Sequence, residues 1–181
     1  MFKDRVYLLQ LLQNIDIEKY INKAVDIFLS SDILLVGGNG GSAADASHFV
    51  GELMGRFDGI VSPFPTINMM SDIAYTSAIS NDYNFTDIYY QFITAFSKFD
   101  TSYLFITTSG KSHNIEKAVE ILIEEYNNEK IVILTGNYKR WFDNIQNIHV
   151  IHIPDIKTEY IQETCLMILH EIARKIKHKL V

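Results

Sequence analysis

The sequence predicts an α/β protein in which helices cover both faces of a central five-stranded parallel sheet. Short apolar segments rich in β-branched residues alternate with longer segments of helical periodicity. Several of the short segments are continuously apolar, which is typical of strands buried on both faces. The chain has 181 residues, of which 48% are hydrophobic, and this suits one domain with a substantial core. We therefore expect residues 1–181 to form a single domain.

Five segments have the composition of buried strands. They are Ile33–Val36, Thr66–Met69, Tyr103–Thr107, Ile131–Leu134 and Ile148–Ile153. Polar loops follow three of these strands, at Gly37–Ser42, Thr107–Ser112 and Thr135–Asn137. Because ligands of open α/β sheets bind beyond the carboxyl ends of the strands, we expect the three loops to converge on one crevice.

The other periodic segments predict helices. An N-terminal helical segment, over about 1–30, is expected to contain two helices separated near Asn14–Asp16. Further helices are predicted at Ser42–Phe57, Ser71–Ile79, Asp87–Phe99, Ile115–Asn127 and Glu159–Leu180. The polar run Asn81–Asn84 predicts a turn.

Composition excludes several classes of function. The net charge of −6 argues against nucleic-acid binding, which needs a basic surface. No run approaches the roughly 18–20 apolar residues of a membrane span, and no signal peptide is evident, so no membrane partner is expected. The single cysteine, Cys165, rules out an internal disulfide and is compatible with a reducing compartment. These observations favour a cytoplasmic protein.

The glycine-rich loop Gly37–Ser42 joins a predicted strand to a predicted helix. Glycine lets the backbone approach a ligand, and the N–H groups of a helix start attract anions. The loop matches the G-x-G-x-x-A form of the dinucleotide fingerprint, but Asp58, near the spacing of the ribose-binding acid, follows a helix instead of ending a strand. A Walker A loop is excluded because Phe105 stands where its first glycine would be. A tight turn without a ligand remains the alternative.

The second loop, Thr107–Ser112, is rich in hydroxyl groups and contains Lys111. Hydroxyl and backbone donors suit phosphate oxygens, and a lysine adds positive charge. Taken alone, the loop is equally well interpreted as a helix start capped by Ser112. Its position after a strand of the same sheet favours phosphate binding.

His48 and Glu52 are one helical turn apart and project from one face of the predicted helix, with Asp45 in the same polar stripe. They could be metal ligands, an acid/base pair, or ordinary structural residues. Their position beside the glycine loop favours a functional role.

The last predicted helix carries Gln162 and His170 on a largely apolar surface. A polar side chain there must find a partner, and the residues alone favour a hydrogen-bonded core pair. The basic end of this helix is expected to be solvated and to favour the helix dipole. It contains Lys175, Lys177, His178 and Lys179.

Several motifs in order along the chain resemble those of the phosphoheptose isomerase (sedoheptulose 7-phosphate isomerase) family, in the sugar isomerase (SIS) superfamily. The matching residues are Gly38–Phe57, Asn81–Ile88, Thr107–Asn114, Leu134–Gly136, Ile161–Glu163 and His170. The resemblance covers essentially the whole chain. The departures from the family pattern are Thr107, Lys111, Glu159 and the segment Asn137–Trp141.

This resemblance implies a flavodoxin-like three-layer sandwich, the SIS fold, and a homotetramer with sites at subunit interfaces. It implies conversion of D-sedoheptulose 7-phosphate to D-glycero-D-manno-heptose 7-phosphate, the first step towards nucleotide-activated heptose for bacterial lipopolysaccharide, capsule or other surface glycans. The implied partner is a phosphorylated seven-carbon sugar, and the implied cofactor is one Zn²⁺ per subunit.

The resemblance also implies roles for individual residues. The catalytic pair would be Glu52 and His170. The metal ligands would be His48, Glu52, Gln162 and His170. Substrate would contact Asn39, Gly40, Gly41, Ser42, Glu52, Asn81, Asp82, Thr107, Thr108, Ser109, Ser112 and Gln162. Because Gln162 and His170 are eight residues apart, or about 12 Å of helix rise, one subunit is not expected to offer both to one ion with ideal geometry.

Three alternatives stay open at this point. A related SIS protein that regulates replication initiation lacks acid/base residues at the counterparts of Glu52 and His170, whereas this chain has both. A sugar-phosphate sensor would bind ligand without turnover. A nicotinamide-dependent oxidoreductase rests only on the weak glycine fingerprint.

Overall fold

In the computed structural model, which describes residues 2–136, 140–155 and 157–181, five strands form one sheet that is parallel throughout. The strands are β1 (Ile33–Gly38), β2 (Thr66–Asn68), β3 (Thr101–Thr107), β4 (Ile131–Gly136) and β5 (Ile148–Ile153). Their order, β2-β1-β3-β4-β5, is that of the flavodoxin-like doubly wound fold. The predicted five-stranded parallel sheet is confirmed.

Seven α-helices lie in the described part of the chain. They are α1 (Phe2–Asn14), α2 (Ile17–Leu29), α3 (Gly41–Met54), α4 (Ile73–Asp82), α5 (Ile88–Phe96), α6 (His113–Glu124) and α7 (Thr158–Lys179). The predicted break between the first two helices is confirmed, and Asp16 there has a left-handed φ of 52°. None of the helices is both long enough and apolar enough to cross a membrane.

The hydrophobic core has two parts, one on each face of the sheet. Alternation along β1 sends Leu34 and Val36 to one face and Leu35 to the other. Helices α2, α3 and α7 cover the first face, and α5 and α6 cover the second. The three-layer sandwich is thereby confirmed, and the strands β1 and β3 that carry the candidate loops lie at its centre.

One predicted turn is partly wrong. Helix α4 continues through Asn81 and Asp82, which were expected in the turn Asn81–Asn84. The helix begins at Asp72, whose side chain accepts a hydrogen bond from the backbone N–H of Tyr75 at 2.9 Å. It has no buried residue, so the polar composition that favoured a turn is equally compatible with an exposed helix end.

The solvated basic end expected for α7 is wrong at Lys177, whose side chain is fully buried. Its ammonium group donates hydrogen bonds to the backbone carbonyls of Gly55, at 2.9 Å, and Ser62, at 2.6 Å. Burial lowers the pKa of Lys177. Lys177 therefore fixes the segment after α3 to the end of α7.

Replacing Lys177 with Met should lower the free energy of unfolding by about 1–3 kcal/mol, because two backbone carbonyls lose their donor. The matched control is Lys179→Met at the exposed end of the same helix, where a change within about 0.5 kcal/mol is expected. Urea unfolding of the three proteins measures the difference. Equal stability of both variants would contradict a tethering role for Lys177.

Acid should destabilise the fold in part through His149. This side chain is buried on β5, its Nε2 lies 2.8 Å from the carbonyl oxygen of Tyr20, and desolvation lowers its pKa. Below the unfolded value of about 6.5, the unfolded chain binds a proton that the folded chain still resists, so stability falls as pH decreases through that range. Urea midpoints at pH 7.5 and 5.5 should differ more for the wild type than for His149→Gln. Identical pH dependence of the two proteins would refute this contribution.

Candidate active site

The glycine loop is shaped to bring backbone close to other groups. Gly40 has φ of +56°, a conformation that side chains rarely adopt, and it opens α3. A Cβ at Gly41 would collide with the side-chain amide of Gln162 on α7. Helix α7 therefore packs directly against the start of α3, and Gln162 lies over the glycine loop. Contact of Gln162 with substrate stays a prediction.

The second loop places its hydroxyl groups around the start of α6. The hydroxyls of Thr107 and Ser112 are 3.4 Å apart, and Thr107 also accepts a hydrogen bond from the backbone N–H of Gly110 at 3.2 Å. Ser112 occupies the N-cap position, but its side chain makes no capping hydrogen bond. Ser112 therefore does not cap α6 through its side chain, which was the alternative interpretation of this loop. The hydroxyl loop can offer side-chain and backbone donors to an anion.

The predicted convergence of the loops is confirmed for their described residues. The side-chain amides of Asn39 and Asn114 form two reciprocal hydrogen bonds of 2.9 Å, which join the glycine loop to the start of α6. The third loop touches the hydroxyl loop, since the backbone N–H of Gly136 donates to the carbonyl of Thr108 at 3.3 Å. Asn137, the last residue of that predicted loop, lies outside the described residues, as do positions 138 and 139 of the departure from the family pattern.

His48, Glu52 and His170 form a compact cluster between α3 and α7. The Nε2 atoms of the two histidines are 2.9 Å apart, and Nε2 of His48 is 3.2 Å from a carboxylate oxygen of Glu52. One ligand atom from each residue lies within 4.8 Å of the others. The Phe57 ring stacks on His170 with a centroid distance of 5.8 Å. The structure thus brings His170 to a pair, His48 and Glu52, that the sequence places more than a hundred positions before it.

This cluster can serve two kinds of chemistry. A carboxylate and an imidazole are the side chains most readily tuned to exchange protons near neutral pH. Two imidazole nitrogens and a carboxylate oxygen also suit Zn²⁺ in number and type. The Glu52 side chain is 22% exposed and that of His48 46%, so the cluster is open to a ligand.

One face of α3 is turned towards α7. It carries Gly41 and the polar residues Asp45, His48 and Glu52, spaced about one turn apart. Among the residues that the structure describes, none hydrogen-bonds the buried Oδ2 atom of Asp45, and desolvation raises the pKa of this carboxyl while His48 lowers it.

Other predicted site residues lie apart from the cluster. Gln162 precedes His170 by two turns of the continuous helix α7, so the core pair expected from the residues alone does not form. Asn81 and Asp82 are exposed at the end of α4, where the amide of Asn81 donates to the carboxylate of Asp82 at 2.9 Å. Their roles in binding stay predictions.

Sequence reasoning gave no role to three residues that shape the site. Asn114 is buried and hydrogen-bonds the glycine loop. The Tyr89 hydroxyl donates to the carbonyl of Gly38 at 3.1 Å. Nε of Arg140 donates to the carbonyl of Ser109 at 2.5 Å. Asn114 stands within the hydroxyl-loop motif, so its presence there was a usable signal. The tertiary partners of Tyr89 and Arg140 leave no such local signal.

Known proteins resemble this chain over nearly its whole length. A phosphoheptose isomerase of Geobacter sp. (strain M21) is 34% identical over 164 residues, which are 91% of this chain and 84% of that protein. A solved phosphoheptose isomerase from Francisella tularensis matches with a TM-score of 0.88 at 28% identity, covering 98% of this chain and 94% of the other. One from Neisseria gonorrhoeae matches with a TM-score of 0.83 at 25% identity, covering 98% and 95%.

No protein-family model matches the chain. The 34% identity to the Geobacter protein extends over most of both chains, and this is sufficient to assign the family. The fold agrees with the two solved structures. The chain belongs to the phosphoheptose isomerase family.

Proposed function

We propose that this protein isomerises D-sedoheptulose 7-phosphate to D-glycero-D-manno-heptose 7-phosphate through an enediol, as the first step of nucleotide-activated heptose synthesis for bacterial surface glycans. The observation that carries the proposal is the cluster in which His48 lies 3.2 Å from Glu52 and 2.9 Å from His170. This cluster supplies a base and a second proton carrier in a chain that belongs to an isomerase family. We expect the enzyme to act in the cytoplasm.

The reaction moves a carbonyl from C2 to C1, and this chain's residues can perform each proton transfer. Glu52 takes the proton from C1, and the electrons form the C1–C2 double bond of an enediol. His170 exchanges protons between the substrate oxygens. Return of a proton to C2 completes the aldose. General acid/base residues of this kind typically contribute about 10²–10⁴-fold in rate.

The phosphate would be held by the hydroxyl loop. Thr107, Thr108, Ser109 and Ser112 offer hydroxyl donors, and the start of α6 offers backbone N–H groups. The reciprocal pairing of Asn39 with Asn114 supports a fixed position of this loop beside the glycine loop. We also propose that the substrate contacts the glycine loop and the start of α7, through Gly40, Gly41, Ser42 and Gln162.

We infer that His48, Glu52 and His170 would hold one Zn²⁺ per subunit. Their donor atoms fit this ion, whereas the position of Gln162 two turns away supports contact with substrate more than ligation by the same chain. The ion would polarise the substrate carbonyl as a Lewis acid. His48 would serve only as a ligand, whereas Glu52 and His170 would transfer protons when they are not bound to the ion.

The dimensions of α3 support a site shared between subunits. Eleven residues separate Gly41 from Glu52, which is about 16 Å of helix rise. A seven-carbon sugar phosphate spans roughly 10 Å when extended, given single bonds of about 1.5 Å. The hydroxyl loop lies beside the glycine loop through the Asn39–Asn114 pair, so a phosphate bound at these loops would not bring C1 to Glu52 of the same chain.

Exposed apolar side chains support the homotetramer that such sharing requires. Helix α1 exposes Val6, Tyr7 and Leu9, and Ile73 at the start of α4 is 84% exposed. Surfaces of this kind are costly unless another subunit covers them. We propose that copies of this chain cover both.

The direct test is incubation with sedoheptulose 7-phosphate, with the aldose followed by NMR and fructose 6-phosphate as the six-carbon control. Formation of heptose 7-phosphate with little reaction of the shorter sugar would support the proposal. Binding of the heptulose phosphate without turnover would favour the sensor alternative.

A further inference from the structure

We propose that Asp45 is a positioning residue that accepts a hydrogen bond from Nδ1–H of His48 and so presents the Nε2 atom of His48 to the metal. The inference rests on the metal site proposed above and deepens it. Asp45 is one turn before His48 on the same face of α3, which puts their side chains within reach. The predictions from sequence gave Asp45 no role.

The chemistry of His48 calls for such an acceptor. Its Nε2 atom faces both His170 and Glu52, so this is the nitrogen that points to the ligand position. To ligate a metal, Nε2 must be unprotonated, and a neutral imidazole then carries its proton on Nδ1. Within the described part of the chain, no hydrogen bond uses Nδ1 of His48. A carboxylate in this place fixes the tautomer and raises the basicity of the ligand.

The environment of Asp45 calls for a donor. Its Oδ2 atom is buried and has no partner among the described residues, and a buried carboxylate without a partner is unfavourable. Burial raises the pKa of the Cys165 thiol on α7, and the negative charge of Asp45 raises it further. His48 on α3 also acts electrostatically on Asp45. The Nδ1–H group of His48, one turn along the same face of α3, is therefore the donor that Asp45 lacks.

A positioning role predicts a loss of zinc affinity without a matching loss of stability. Replacing Asp45 with Asn or Leu should lower zinc affinity about 10–100-fold, the usual effect of removing a partner behind a ligating histidine. The same changes should leave the melting temperature of the metal-free protein nearly unchanged, because the desolvation cost of the carboxylate is removed together with its hydrogen bond. A residue needed only for packing would lower both quantities.

The test titrates metal-free wild type, Asp45→Asn and Asp45→Leu with zinc against a chromophoric chelator, and records melting temperatures without metal. Glu171→Gln, which removes an exposed charge next to His170, is the matched control and should bind zinc like the wild type. ¹⁵N NMR should place the proton of neutral His48 on Nδ1 in the wild type and shift the tautomer balance in Asp45→Leu.

Three results would overturn the inference. They are zinc affinity of Asp45→Leu within twofold of the wild type, parallel losses of zinc affinity and metal-free stability, and a wild type that binds no zinc. Turnover of sedoheptulose 7-phosphate by the wild type is measured alongside. Its absence would defeat the proposed function, whereas the zinc titration and the His48 tautomer decide the role of Asp45 independently.

Discussion

Replacing Glu52 with Gln is expected to reduce kcat for sedoheptulose 7-phosphate by about 10²–10⁴-fold with little change in KM. The amide has the size of the carboxylate but cannot take the proton from C1. Glu52 is partly exposed and lies in the last turn of α3. We therefore expect the variant to fold like the wild type. Steady-state kinetics with a matched Glu171→Gln control separates the loss of the base from the loss of one charge nearby.

The control should keep near wild-type turnover, because Glu171 is exposed and pairs with Arg174. Retained turnover in Glu52→Gln would remove this residue from the role of base at carbon. A rise in KM with unchanged kcat would instead assign it to uniform substrate binding.

Two inactive variants should restore activity when they are mixed in one oligomer. The first is Glu52→Gln. The second is Ser112→Asp, which keeps a good N-cap residue for α6 but sets a negative charge where the phosphate would bind. If each site takes the hydroxyl loop from one subunit and Glu52 from another, random co-assembly leaves about a quarter of the sites with both halves intact in a symmetric oligomer.

Co-expression with two different affinity tags isolates the mixed oligomers, and each pure variant serves as its own baseline. Restored turnover near this fraction would support the shared site. No turnover in verified mixed oligomers would show that loop and cluster act within one chain, against the argument from the length of α3.

The strands were predictable because buried strands leave short segments that are largely apolar and rich in β-branched residues. Segment Ile148–Ile153 was predicted with its observed bounds, and the other strands differ by one or two residues at their ends. The end of α4 was not predictable, because exposed Asn81 and Asp82 carry the same polar signal as a turn. The burial of Lys177 could not be predicted from the sequence for a different reason. Its two carbonyl partners lie more than a hundred residues earlier in the chain.

The candidate site shows the same division. The pairing of His48 with Glu52 followed from helical spacing alone, because one turn puts both side chains on one face. The position of His170 beside His48 depends on the packing of α3 against α7, which no local sequence pattern encodes. Only the family resemblance pointed to a role for His170 in this site. The position of Gln162 over Gly41 likewise came from the packing of these two helices.

The most direct test of the central claim is turnover of sedoheptulose 7-phosphate in D₂O, followed by NMR. An enediol route removes the proton from C1 and returns a solvent-exchanged one, so the account expects heptose 7-phosphate that carries deuterium at C2. Zinc-loaded and metal-free protein are compared to show whether the metal changes the rate. Absence of the aldose would contradict isomerisation by Glu52 and His170. An aldose with only protium at C2 would mean that the C1 hydrogen reaches C2 without exchange, which contradicts the solvent-exchanged enediol of this account.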